Sequence, residues 1–101
     1  MKILKFIVHR NCQQELSDKL KASGYADNFT FSHVEGHGGH RESDLALSME
    51  NLVVGYVPKI YVEILVNEND LKNLLDTVRS IKGLKGQGEY WTVTAEDFGE
   101  F

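Results

Sequence analysis

The length, composition and charge of the chain limit the kind of protein it can be. It has 101 residues, of which 42% are hydrophobic and 26% charged, and its formal net charge is −4. This is the composition of one globular domain over residues 1–101, with room for one sheet and two helices. The acidic balance argues against nonspecific nucleic-acid binding, which needs a basic surface. The single cysteine, Cys12, excludes a disulfide within the chain.

Two features of the sequence bear on the cellular location. No stretch approaches the ~20 consecutive apolar residues that a membrane-spanning helix needs. The apolar N-terminal segment is broken by Lys5, and no small-residue cleavage site of a signal peptide follows it. We therefore expect a soluble, cytoplasmic protein.

The chain opens with a predicted strand and a predicted helix. Alternating apolar residues indicate a strand over residues 2–9. Asn11 can cap the helix that follows, because Gln14 stands three residues later in the position of a capping box. Gly24 is expected to end this helix.

A second strand and a long loop come next. The strand is predicted over residues 28–35. Residues 36–44 are glycine-rich and polar and have no periodicity, which is typical of a loop. Residues 45–57 could extend that loop, form a turn of helix or make a projecting hairpin. A loop of this length in a small domain is usually functional or disordered.

The second half of the chain repeats the alternation of strands and a helix. Residues 59–66 give the clearest strand pattern, with Pro58 at its start. Asn67 or Asn69 can cap the following helix, and Gly83 is expected to end it. A glycine turn then leads to a last strand over residues 89–95.

The order of these elements predicts an α+β, ferredoxin-like βαββαβ sandwich with both helices on one face of the sheet. The opposite face mixes apolar and polar residues, which favours sheet packing between identical copies. A solvated face with scattered apolar residues is the alternative. The residues expected on this face are Ile3, Lys5, Ile7, Thr30, Ser32, Val34, Tyr61, Glu63, Leu65, Tyr90, Thr92 and Thr94.

The loop after the second strand carries candidate metal ligands. His37 and His40 flank two glycines, and His33 precedes them on the strand. Imidazole nitrogens suit divalent transition metals, and a glycine backbone can fold such side chains onto one ion. These three histidines, with a carboxylate such as Glu35, would supply enough ligands. The alternative is that they are ordinary surface histidines.

The same loop could instead bind an anion. Backbone N–H groups of glycine-rich segments can cradle a phosphate, and the glycines here are Gly36, Gly38 and Gly39. The segment has neither the Walker spacing nor the dinucleotide-binding spacing. The glycines could also serve only to make the loop flexible.

No enzymatic machinery is evident in the sequence. No nucleophile and base stand in a recognisable triad order, so we expect the protein not to be an enzyme. Glu63 and Lys5 are expected on neighbouring strands, where they could pair with each other or contact a partner subunit. Cys12 could be a thiolate near a helix N-terminus, or a small core residue.

The chain resembles the PII-like signalling proteins, the nitrogen regulatory protein PII superfamily, over nearly its whole length. The features behind this are Gly36-His37-Gly38 after the second strand, the amphipathic helix over residues 71–81, and Glu89-Tyr90-Trp91 at the start of the last strand. Within that superfamily it is most similar to the small proteins found beside heavy-metal efflux pumps. The long loop would correspond to that family's T-loop.

The resemblance implies a regulatory homotrimer. Its ligand clefts would lie between subunits, with Gly36, His37 and Gly38 at the T-loop base, and its T-loops would contact a membrane transporter. The loop lacks a uridylylation-type tyrosine in a matching context, which argues against classical ATP and 2-oxoglutarate sensing. The effector is left open between a divalent transition metal and an adenine nucleotide. A second resemblance, to CutA-like proteins of divalent-metal tolerance, implies a similar trimer, and Tyr90-Trp91 does not separate the two. A small enzyme or a purely structural interaction domain are further alternatives.

Overall fold

Four strands and two helices make up the part of the chain that the computed structural model describes, which is residues 1–26, 28–38 and 55–101. The strands form one antiparallel sheet in the order β2-β3-β1-β4. In chain order the elements are β1 (Lys2–His9), α1 (Gln13–Ser23), β2 (Phe29–Gly36), β3 (Val57–Val66), α2 (Leu71–Arg79) and β4 (Glu89–Thr94). No helix within these ranges is long and apolar enough to cross a membrane. Most of the predicted long loop, including Gly39 and His40, lies outside the described residues.

The core lies between the helices and one face of the sheet. Every second residue is buried from Leu4 to Val8 in β1 and from Ile60 to Val66 in β3, as the alternating pattern predicts. Leu16, Leu20 and Leu74 face these strands from the helices and are 0% exposed. Burying each such side chain contributes about 1.5–3 kcal/mol. The strand residues of the core are Leu4, Phe6, Val8, Ile60, Val62, Ile64 and Val66.

The first helix begins later than the capping-box pattern predicts. Residues Arg10–Cys12 form a 3-10 turn, and the His9 Nδ1 atom accepts the backbone N–H of Asn11 at 3.1 Å. The predicted capping box is therefore wrong, and the Gln14 amide instead donates to Asp18 at 3.1 Å. The predicted end is confirmed, because Gly24 takes the left-handed conformation with φ 76°.

The second helix differs from prediction at both ends. A 3-10 turn over Glu68–Asp70 precedes it, and no side chain caps either segment. The helix ends at Arg79 rather than at Gly83, because the chain turns there to bury Ile81, which is 1% exposed. Gly83 lies in a further 3-10 turn, Lys82–Leu84.

The register of β4 corrects the predicted composition of the uncovered sheet face, here called the open face. Directly paired residues of antiparallel strands share a face. Tyr90 pairs with Phe6 and Thr92 with Leu4, so both lie on the helix-covered face, as does Thr94. The open face receives Trp91 and Val93 instead. The other predicted members are confirmed by register, and they are Ile3, Lys5, Ile7, Thr30, Ser32, Val34, Tyr61, Glu63 and Leu65.

We expect the Gly24→Ala substitution to lower the free energy of unfolding by about 1–2 kcal/mol, because an L-residue is strained in the left-handed conformation. A Cβ atom at Gly24 would meet nothing within 4 Å, so the loss would come from the backbone alone. Urea denaturation measures the change. Gly99→Ala is the matched control, because it is also uncrowded and has no positive φ. Equal stability of the two variants would contradict the assigned helix end.

Candidate functional site

Two connections meet at one end of the sheet and enclose a cleft of about 480 Å³, here called the loop-base cleft. One is the segment Gly36-His37-Gly38 after β2, and the other is the turn Gln87-Gly88 before β4. They meet because Gly36 pairs with the first residue of β3, while the end of β1 pairs with both β3 and the start of β4. The remaining lining residues are Ile7, Val34, Glu35, Lys59, Tyr61, Glu89 and Trp91. This volume is in the range of small-molecule sites.

A glycine on each side of the cleft is closely packed by its neighbours. A Cβ atom at Gly36 would lie 2.7 Å from the Lys59 Cδ atom, so the lysine stem crosses this glycine directly. A Cβ atom at Gly88 would lie 2.5 Å from the carbonyl oxygen of Ile7. The turn before β4 therefore rests against the backbone of β1, and Gly88 does more than make the chain flexible, whereas the lysine side chain at Gly36 is able to move aside.

The polar groups of the cleft are of mixed charge. The His37 Nε2 atom lies 3.2 Å from a carboxylate oxygen of Glu35. Lys59 supplies a cation, and Glu89 a second carboxylate. The side-chain oxygen of Gln87 is buried and has no hydrogen-bond partner among the described residues. Buried acceptors are normally satisfied, so this oxygen suits an ordered water molecule.

Tyr61 connects the cleft to a polar network at the centre of the open face. Its hydroxyl donates to Glu63 Oε1 at 2.8 Å, and the Lys5 Nζ atom lies 3.4 Å from the same oxygen. The Trp91 ring is 6.4 Å from the Tyr61 ring, centroid to centroid. The predicted Lys5–Glu63 cross-strand pair is thus confirmed.

This network shifts the pKa values of its two charged members in opposite directions. The Tyr61 hydroxyl, and then Lys5, hold the pKa of the Glu63 carboxyl below its usual value. The Tyr61 hydroxyl, and then Glu63, raise the pKa of Lys5 above 10.5. Hydrogen bonding to the charged form is the main cause in both cases.

The predicted metal ligands are only partly placed. His33 lies on the helix-covered side, 2.8 Å from the Gln13 side-chain oxygen, and does not line the loop-base cleft. His37 lines the cleft and contacts Glu35. In the described segments no three histidine, cysteine, aspartate or glutamate side chains are grouped as metal ligands. The set of His33, His37 and His40 stays a prediction, because His40 lies outside those segments.

Cys12 has the environment of a core residue. It is 6% exposed, and its Sγ atom lies 3.7 Å from the Gly83 carbonyl oxygen. Burial raises the pKa of its thiol above the ordinary value of 9.0. The neutral thiol is therefore the stable form at neutral pH, as a structural role requires.

The sequence pattern located only one side of the cleft. Gly36, His37 and Gly38 were predicted and do line it. Lys59, Gln87 and Trp91 were not predicted, because they reach the cleft only through strand pairing. The turn over residues 86–88, with glycine at each end, was the sequence feature that could have indicated the other side of the cleft.

Together these features define a small α+β protein with a four-stranded antiparallel sheet, two helices on one face and a cleft at one end. A family model described as "Protein of unknown function (DUF3240)" matches residues 1–101. The chain therefore belongs to the DUF3240 family.

A solved structure supports the fold. The crystal structure of a DUF3240 family protein from Shewanella baltica matches this chain with a TM-score of 0.75 and 15% identity. The match covers 99% of this chain and 94% of that one. At this identity the likeness shows the fold alone. None of the curated proteins matches the chain.

We expect the Tyr61→Phe substitution to raise the pKa of Glu63, because the hydroxyl that stabilises its charged form is removed. A carboxyl with a lowered folded pKa stabilises the protein above its unfolded pKa, and that contribution disappears as pH falls through the folded value. The substitution should therefore reduce the loss of stability on acidification below about pH 4.5. Titration of the Glu63 carboxyl by NMR measures the shift.

The control for this prediction is Tyr90→Phe, which removes the same hydroxyl on the helix-covered face. It should leave the titration of Glu63 unchanged. An unaltered Glu63 midpoint in Tyr61→Phe would mean that the hydroxyl does not control this network.

Proposed function

We propose that the chain is a PII-like regulatory protein that acts in signal transduction in the cytoplasm. In this proposal a homotrimer of ferredoxin-like domains binds a small ligand at inter-subunit clefts and modulates a membrane transporter through the loop between β2 and β3, the T-loop. The loop-base cleft carries the proposal, because a ligand there would contact Gly36, His37 and Gly38, where the loop leaves the sheet.

The topology is consistent with this fold assignment. The chain order βαββαβ and the antiparallel order β2-β3-β1-β4 support the proposed ferredoxin-like sandwich. The strands β2 and β3 remain paired up to Gly36 and Val57, so the proposed T-loop would start from this paired end of the sheet. A change at that base would alter the direction in which the loop projects.

The cleft lining favours a ligand that has both a planar ring and an anionic group. Trp91 is 42% exposed and, with Tyr61, offers an aromatic surface. Lys59 and the imidazole of His37 can contact an anion. An adenine nucleotide has these groups, so it is the ligand class we favour.

The open face supports the oligomer. Trp91 and Val93 are 42% and 41% exposed, and they extend an apolar surface that includes Ile3, Ile7 and Leu65. Contiguous exposed apolar surface on a small domain commonly marks an interface. Trp91 belongs to both this face and the loop-base cleft, so a second copy on the open face would lie next to the cleft.

A CutA-like divalent-metal-binding protein is the second candidate. The His37–Glu35 contact favours it, because an imidazole and a carboxylate 3.2 Å apart are both metal donors. This pair alone supplies two ligands, and further ligands would have to come from elsewhere, for example from His40. Metal uptake that is lost in the double variant His37→Ala and His40→Ala would favour this candidate over nucleotide sensing.

We expect the Trp91→Glu substitution to convert a trimer into monomers, because it buries a carboxylate in an apolar interface. Light scattering coupled to size-exclusion chromatography measures the mass. Asn73→Glu, which adds the same charge on the exposed side of α2, should leave the trimer intact. A monomeric wild-type protein at micromolar concentration would contradict the proposal.

We expect isothermal titration to detect binding of an adenine nucleotide and Lys59→Gln to weaken it about tenfold or more, because a charge-assisted hydrogen bond is lost. Lys82→Gln, a similar change outside the cleft, should have no effect. Parallel titrations with zinc, copper and nickel separate the two candidates. Absence of binding by all of these probes would contradict both.

A further inference from the structure

A second cleft, of about 530 Å³, lies on the helix-covered face between α2 and β4, and we call it the α2–β4 cleft. It is separate from the loop-base cleft because Tyr90, which forms one wall, points to the opposite side of the sheet from Trp91. The two clefts share the backbone turn at Gly88 and Glu89.

The cleft exists because the helices do not cover the edge strand β4. Every residue of β4 is exposed, whereas the neighbouring β1 buries Leu4, Phe6 and Val8. These three side chains form the floor of the cleft. The other apolar walls come from Leu75 and Val78 of α2 and from Leu84. The lining is thus mainly apolar, apart from charged residues described below.

The mouth of the cleft is cationic and held in place by a specific contact. The Arg79 Nη2 atom donates to the Tyr90 hydroxyl at 2.8 Å, and the guanidinium carbon lies 5.4 Å from the Tyr90 ring centroid. A guanidinium has five N–H donors, and this contact uses one of them. Lys85 adds a second positive charge. Glu89 pairs with Ile7, so its side chain belongs to the open face.

We propose that the α2–β4 cleft binds a small amphipathic monocarboxylate, with the chemistry of a medium-chain fatty acid. Its apolar tail would lie against Leu75, Val78 and Leu84, which are partly exposed. Its carboxylate would meet Arg79 at the mouth, where an arginine fork matches a carboxylate. The volume is in the range of small-ligand sites with a mainly apolar lining and few polar groups. Arg79 and Lys85 concentrate positive charge here in a chain whose net charge is −4. This local positive charge favours an anionic ligand.

The protein's own tail does not fill this cleft. Phe98, the nearest large apolar residue after β4, is 58% exposed, and no residue beyond Tyr90 lines the cleft. A tail from a second copy would be a different occupant, and the experiment distinguishes it.

The test compares three probes with similar ten-carbon chains in NMR titrations of the full chain, namely decanoate, decanol and decyltrimethylammonium. We expect decanoate to shift the amide signals of Val78, Leu84 and Tyr90 and to bind with a Kd at least tenfold lower than that of decanol. The cation should not bind. Equal binding of decanoate and decanol, or no shift at these residues, would overturn the proposal. So would a shift of the same signals in the unliganded variant Phe98→Ala, because a tail would then occupy the cleft.

Variants locate the site. Arg79→Gln should weaken decanoate binding about tenfold to a hundredfold, from loss of a charged hydrogen bond, and leave decanol binding unchanged. Val78→Phe should reduce the binding of both probes by filling the cleft, with thermal unfolding as a check of its fold. Lys82→Gln, next to the helix end but outside the cleft, is the matched control. Unchanged decanoate affinity in Arg79→Gln would overturn the proposal. Neither Arg79 nor Val78 lines the loop-base cleft, so nucleotide titrations of these variants test the two sites independently.

Discussion

The packing of two helices against one face of the sheet is the interaction on which the rest of the structure depends. Leu16 and Leu20 of α1 and Leu74 of α2 are completely buried against alternate residues of β1 and β3. Because the helices cover mainly the two central strands, apolar surface remains uncovered in two places. One is the open face, and the other is the flank of the core beside β4.

The position of the two clefts follows from this arrangement. Strand pairing brings the start of the long loop and the turn before β4 to one end of the sheet, and the loop-base cleft lies between them. On the other side, β4 extends past the cover of α2, and the α2–β4 cleft lies beside the core, whose β1 residues stay buried beneath it. A regulatory ligand at the first cleft and an amphipathic anion at the second would therefore contact different faces of the same edge strand.

The sequence predicted local elements well and long-range relations less well. The alternation in β1 and β3 located both strands, and Gly24 marked the end of α1. The faces of β4 were assigned wrongly, since apolar and aromatic residues occur on both of its faces and only pairing with β1 decides between them. For the same reason Gly36 and His37 were found from the loop pattern, while Lys59 and Gln87 were not. The helix starts were missed because a short 3-10 turn precedes each helix.

The turn before β4 forms a wall that the two clefts share, and it has no room to move towards β1. A side chain at Gly88 would lie 2.5 Å from the backbone of β1, where no rotamer change could relieve the overlap. A homologue with any other residue at this position would have to rebuild the whole turn. Both clefts would then change shape together. A substitution at Gly88 could therefore not alter one cleft without altering the other.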